Sequence, residues 1–136
     1  MSEVREIVTR AVLAKGRKNI KVCETIPLEQ QPYSVLGCWV INHEFEAVQD
    51  QKQVNLTGSF EIDIWYAYDN NTKTDIARTT TKYQTVIKVK DIVCDATTDH
   101  TDVIVRILQQ PTCTNACIKE NAIEVEVVFD ALAEII

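Results

Sequence analysis

The chain has three glycines, three prolines, one methionine and two histidines among its 136 residues. So few glycines leave no glycine-rich cradle for a phosphate group. Two histidines offer little for acid–base relay, and no nucleophile elbow occurs. Apolar runs are only a few residues long, too short to cross a bilayer as a helix, so direct membrane insertion is not expected. The opening "MSEVREIVTR" carries charges where a signal peptide needs an apolar core, so the chain is expected to stay inside the cell that makes it. The sequons at Asn55 and Asn70 then carry no glycosylation meaning. Zinc spacings are also missing: Cys113 and Cys117 are a close pair with His100 as a conceivable third ligand, but no second pair completes a tetrahedron. The acidic stretch "DIVCDATTDHTD" (91–102) lacks the ligand spacing and central glycine of a calcium loop and reads as a solvated loop. No metal, cofactor or catalytic residue is expected.

What is present is ordinary for a globular domain: 46% hydrophobic and 25% charged residues, in a length that fits one domain over residues 1–136. A chain of this size buries roughly two-thirds of its unfolded surface, enough for a core without staples. Charge is uneven. Residues 1–22 hold six basic side chains against Glu3 and Glu6, so with a net charge of −6 the remainder carries −10. An acidic body argues against nucleic acid as a partner. The basic segment, with Arg5, Arg10, Arg17 and Lys18, could serve as an assembly arm meeting the acidic face of another copy, or simply be a solvated turn. Five cysteines, at 23, 38, 94, 113 and 117, begin as thiols in a reducing cytosol, and their odd number leaves one for a partner if the rest pair.

From about residue 35 the pattern has period two, the mark of half-buried strands. In "VNLTGSFEIDIWYAY", Val54, Leu56, Phe60, Ile62, Ile64, Tyr66 and Tyr68 share the inward parity, and Gly58 reads as a bulge or a close backbone approach. "DNNTK" then favours a turn, so this strand and "TDIARTTTKYQTVIKVK" form a hairpin centred on Asn70 and Asn71. "DVIVRILQQ" is apolar on both parities, which predicts a central strand covered on both faces and ended by Pro111. The last strand turns Ile123, Val125, Val127, Phe129, Ala131 and Ala133 inward, with Glu124, Glu126, Asp130 and Glu134 outward. "PLEQQP" (27–32) is a loop. Near the start, Val4, Ile7, Val8, Ala11 and Val12 fit a short helix, although an edge strand fits too, and "KGRK" (15–18) reads as a turn. At least five strands at regular spacing predict an all-β antiparallel sandwich.

The stretch "LGCWVINHEFEA" gathers a cysteine, a histidine and two glutamates. Strict alternation puts Trp39, Ile41, His43 and Phe45 on one face and Cys38, Val40, Asn42, Glu44 and Glu46 on the other. Cys38 and His43 are then roughly 16 Å apart at strand rise, beyond reach of a thiolate–imidazole pair. His43 is expected to be a satisfied core or rim histidine and Cys38 a small hydrophobe. Alternation leaves Trp65 on an outward face, and Val128 and Leu132 likewise break the polar side of the last strand. Such residues are either covered by the N-terminal segment or are interface anchors. Long regular strand edges add a route to pairing between copies.

Four strings, "REIVTRAVLAKGRK", "SVLGCWVINHEFEA", "GSFEIDIWYAYDNNTKTD" and "VIVRILQQPTC", resemble the CotE family, morphogenetic proteins of the outer spore coat in endospore-forming bacteria. The resemblance covers roughly residues 2 to 113. It implies a non-enzymatic scaffold made in the mother-cell cytoplasm and laid into the spore coat. Its implied partners are copies of itself and other coat proteins, including the basement-layer morphogenetic ATPase. The family also implies a placement role for the central hairpin, about Gly58 to Asp75, and an acidic recruiting tail beyond the length seen here. Cys23, Cys94, Cys113 and Cys117 are candidates for disulfide cross-linking once the coat meets an oxidising exterior.

Two other readings compete. One is a β-sandwich module binding carbohydrate or peptide on Trp39, Trp65, Tyr66 and Tyr68, which parity divides between two faces. The other is a thiol-dependent enzyme using Cys113 or Cys117, which requires a depressed thiol pKa.

Overall fold

A computed structural model describes residues 12–91 and 102–136. The proposed N-terminal helix, with Arg5 and Arg10, and Cys94 in the acidic stretch lie outside the described residues.

Among the described residues seven strands form two antiparallel sheets. They are β1 (Ala14–Pro27), β2 (Pro32–Asp50), β3 (Gln53–Tyr68), β4 (Lys73–Lys88), β5 (Lys90–Asp91), β6 (Val103–Lys119) and β7 (Ala122–Ile135). One sheet has the order β5-β1-β7-β6 and the other β2-β3-β4. The chain is an all-β sandwich: β2 packs over β6 and β1 over β4.

The middle strands β3 and β7 supply most of the core. Val54, Leu56, Phe60, Ile62 and Ile64 meet Ile123, Val125, Val127, Phe129, Ala131 and Ala133, all essentially without solvent exposure. Regular alternation puts one row of each strand inward, and burial of such side chains stabilises by roughly 1.5–3 kcal/mol apiece relative to exposure. The expected hairpin is present. Asp69, Asn70 and Asn71 all take positive φ, a conformation that Asn and Asp tolerate better than other side chains. Thr72 closes the turn by donating its backbone N–H to the Asp69 carbonyl at 3.1 Å. The loop expected over 27–32 is shorter: residues 28–31 connect β1 to β2, with Pro27 and Pro32 as the flanking strand ends.

Three expectations are corrected. "KGRK" is not a turn: residues 15–18 lie in β1, paired with Lys18↔Ala131 and its neighbours on β7. Gly16 is needed there because a Cβ would collide with the Lys88 carbonyl, where the chain passes from β4 to β5. Next, Pro111 does not end its strand. β6 continues to Lys119, with Pro111 between register shifts at Gln109 and Thr112. A bulged edge strand tolerates a missing N–H donor. Nor is "DVIVRILQQ" central: among the described residues β6 is an edge of its sheet, Val103, Val105 and Ile107 pack on the core, and Ile104 and Leu108 are exposed.

Gly58 proves to be a close approach. The β3–β4 pairing runs through it without a shift. An added Cβ would sit 2.5 Å from both the Glu44 carbonyl oxygen and the Tyr83 hydroxyl. Tyr83 fills that space and shares a 2.5 Å hydrogen bond with His43 Nε2.

Candidate interaction surfaces

Strict alternation fails within β2, and that failure builds the main surface. The pairing of β2 with β3 shifts between Ile41 and Glu44, and Asn42 takes positive φ. Such a bulge reverses which side the following residues face. Trp39 and Ile41 therefore point to solvent, whereas His43 turns in against Phe60, Tyr83 and Phe129. The expected common face for Trp39, Ile41 and His43 is thus corrected, and Cys38 lies on the core side with Val40. His43 is a half-buried histidine at the rim of the core, bonded to Tyr83, and burial holds its pKa below the ordinary imidazole value of 6.5.

Trp65, the expected anchor, is 42% exposed on the outer face of the three-stranded sheet, and Trp39 is 41% exposed beside it. Gly37 pairs with Trp65, and a Cβ there would lie 3.0 Å from the Trp39 ring and 3.8 Å from the Trp65 ring. The two indoles thus flank one bare patch of backbone. Ile76, the partner of Trp65 on β4, and Ile41 extend the patch, both exposed. Between them lies Asp63, whose side chain is only 7% exposed, 3.6 Å from Arg78. Beside it, Glu61 is held above the usual carboxylate range by its hydrogen bond with Asp63, with burial and the Asp63 charge adding to it. The missed participant is Trp39. The signal for it was Asn42, a residue suited to the bulge that reverses parity.

Tyr66 and Tyr68 do not join this surface. Tyr66 is buried and donates its hydroxyl to Gln30 Oε1 at 2.5 Å, and Tyr68 packs partly against the core. The expected division of the four aromatics holds for the tyrosines but not for the tryptophan pair.

On the four-stranded sheet Val128 and Leu132 face outward and are half-buried, in register with Lys21 and Arg17 respectively on β1. Arg17 forms an ion pair with Asp130, which lowers the Asp130 pKa through that hydrogen bond. Lys18 points the other way and donates to Thr85 Oγ1 at 2.7 Å and the Val86 carbonyl at 3.1 Å, tying β1 to β4. Residues 14–22 of the basic segment are therefore part of a paired strand.

The described cysteines sort into two classes. Cys23 and Cys117 are exposed and border one shallow hollow on the four-stranded sheet, with Glu124 and Glu126. Cys38 and Cys113 are half-buried and pack on the core from β2 and β6, which face each other across the sandwich, near enough for Cys113 to contribute to the raised Cys38 pKa. Burial is the main cause that pushes the Cys38 pKa up, opposite to what an activated thiol needs. Cys113 and Cys117 lie on opposite faces of β6 and do not converge on one ion.

Strand edges differ as well. The pairings of β2 and β6 each contain three register shifts, which disrupt a docking edge. The β3–β4 pairing contains none, and among the described residues the outer edge of β4 has no strand partner.

The fold and these surfaces define a β-sandwich whose distinctive chemistry is on its outside, in an aromatic face, an unshifted edge and exposed thiols. Residues 3–136 match the family model "Outer spore coat protein E (CotE)", and the chain belongs to that family of structural spore-coat proteins. No curated protein and no solved structure matches the chain.

Proposed function

We propose that this protein is a non-enzymatic scaffold of the outer spore coat that associates with copies of itself through the Trp39–Trp65 face. The single observation that supports this reading is the apolar patch of Trp39, Ile41, Trp65 and Ile76 on one exposed sheet face. Large apolar patches rimmed by charge on a folded domain mark contact sites, and tryptophan is enriched where contacts carry most of the energy. The unshifted edge of β4 offers a second contact by strand addition. The protein is made in the mother-cell cytoplasm and then enters the coat, where its partners are other coat proteins and the basement-layer morphogenetic ATPase. After mother-cell lysis the exposed thiols of Cys23 and Cys117 cross-link neighbouring molecules.

Trp65→Asp tests the reading. Loss of a contact anchor costs about 2 kcal/mol or more, or roughly a thirtyfold weaker association. The oligomer mass from light scattering should fall while the far-ultraviolet dichroism stays that of a β protein. An unchanged mass with an intact fold removes Trp65 from the argument. The paired indoles also favour a second reading, a face that stacks on sugar rings or peptide. Glycan or peptide binding by a monodisperse monomer would put that reading first.

A further inference from the structure

We propose that Cys38 and Cys113 form an intrachain disulfide that joins the two sheets when the protein meets an oxidising environment. Cys38 is on β2, opposite Ile64, and Cys113 is on β6, opposite Val127. These strands belong to different sheets and share no backbone ladder. Both side chains pack on the core, where β2 lies over β6, and Cys113 is near enough to contribute to the raised Cys38 pKa. Thiols that neighbour each other across two closely packed strands reach bonding distance by side-chain rotation where their Cα atoms lie within about 7 Å.

The location gives the bond its effect. Opposite it, β1 is tied to β4 by the Lys18 hydrogen bonds, and the chain itself passes from β4 into β5. A Cys38–Cys113 bond closes the facing side, between β2 and β6. It also links residues far apart in the chain, the case in which a cross-link most restricts the unfolded state.

The chemistry is thiol–disulfide exchange with a low-molecular-weight disulfide, RSSR, as oxidant. The Cys113 sulfur, having given up its proton, attacks RSSR, forming a mixed disulfide and releasing one RSH. The Cys38 sulfur then loses its proton and attacks the Cys113 sulfur, releasing the second RSH. Two protein thiols are oxidised and one RSSR becomes two RSH. Burial retains the Cys38 proton, so the second step is slow near neutrality and faster in alkali.

This inference does not depend on self-association and is tested separately from it. The full chain is incubated with oxidised glutathione at low protein concentration, remaining thiols are capped with a maleimide, and the digest is mapped without reduction. The expected result is a Cys38–Cys113 bridged peptide with Cys23 and Cys117 capped or glutathionylated. The melting temperature of the oxidised monomer should exceed that of the reduced one by roughly 10 °C, and Cys38→Ser should lose that rise. Capped Cys38 or Cys113 after oxidation, a bridge from either to another cysteine or another molecule, or a bridged monomer that melts no higher than the reduced one would each overturn the proposal. The wild-type map decides the pairing even if the variant fails to fold.

Discussion

At the scale of single residues, His43 shows how a polar group can pack against the core without being an activated base. Its ring lies 5.1 Å from Phe129 and 6.2 Å from Phe60, and its Nε2 bonds to Tyr83, whose hydroxyl is itself pushed up to about 12 by burial. Because the folded imidazole binds a proton less readily than the unfolded one, the unfolded state takes up more protons below 6.5. Stability from this group is therefore full above that value and declines as the pH falls through it. His43→Phe should lose about 1 kcal/mol at neutrality with the hydrogen bond. Its denaturation midpoint should then fall less than that of the wild type between neutrality and about pH 5. Equal slopes in urea titrations at the two pH values would show that other groups set the dependence. The position of His43 was only half legible in the sequence. Its satisfied role followed from its apolar neighbours and its distance from Cys38, but its side of the strand depended on one bulge residue, Asn42.

Among the elements, β3 and β7 were the readable ones, whereas β1 was not, although its register is unbroken too. The β1–β7 and β3–β4 pairings have no shifts, so a period of two carried through β3 and β7 and named their core residues correctly. β2 and β6 could not be read this way, because each pairing shifts three times and each shift moves later side chains to the other face. "KGRK" misled for another reason: a glycine beside charged residues suits a turn, but also suits a strand that another segment crosses closely. The β3–β4 turn gives a direct test. Asn71 has φ of 70°, a region that costs most L residues about 1–2 kcal/mol. Asn71→Val should destabilise the fold by about that amount, whereas Asn71→Gly should be near neutral. Both lose the 3.1 Å contact of Ser34 Oγ with Asn71 Oδ1, so their difference in urea midpoint isolates the backbone. Equal midpoints would show that the turn tolerates the strain.

For the molecule as a whole, side-chain orientation separates the cysteines by role. Cys23 and Cys117 face out from one sheet and Cys38 and Cys113 face each other inside. Oxidation at high protein concentration should give a ladder of cross-linked species on non-reducing gels. The Cys23→Ser/Cys94→Ser/Cys117→Ser triple variant should abolish it, and Cys38→Ser/Cys113→Ser should leave it in place. A single monomer band from concentrated wild-type protein would count against intermolecular bonding. The same view revises the acidic surface. Asp63 and Asp130 are outward by parity yet buried, each beside an arginine, so part of the charge pattern is internal pairing rather than a solvated coat. Sequence counts alone could not separate the two, because Arg78 and Arg17 come from neighbouring strands.

The contrast between the even margin of β4 and the kinked margins of β2 and β6 limits the stoichiometry of any array. A flank that is matched with its own kind across a two-fold axis is used once and then no longer available. Copies joined in that way would come in twos, and growth past each couple would have to run through a different part of the molecule.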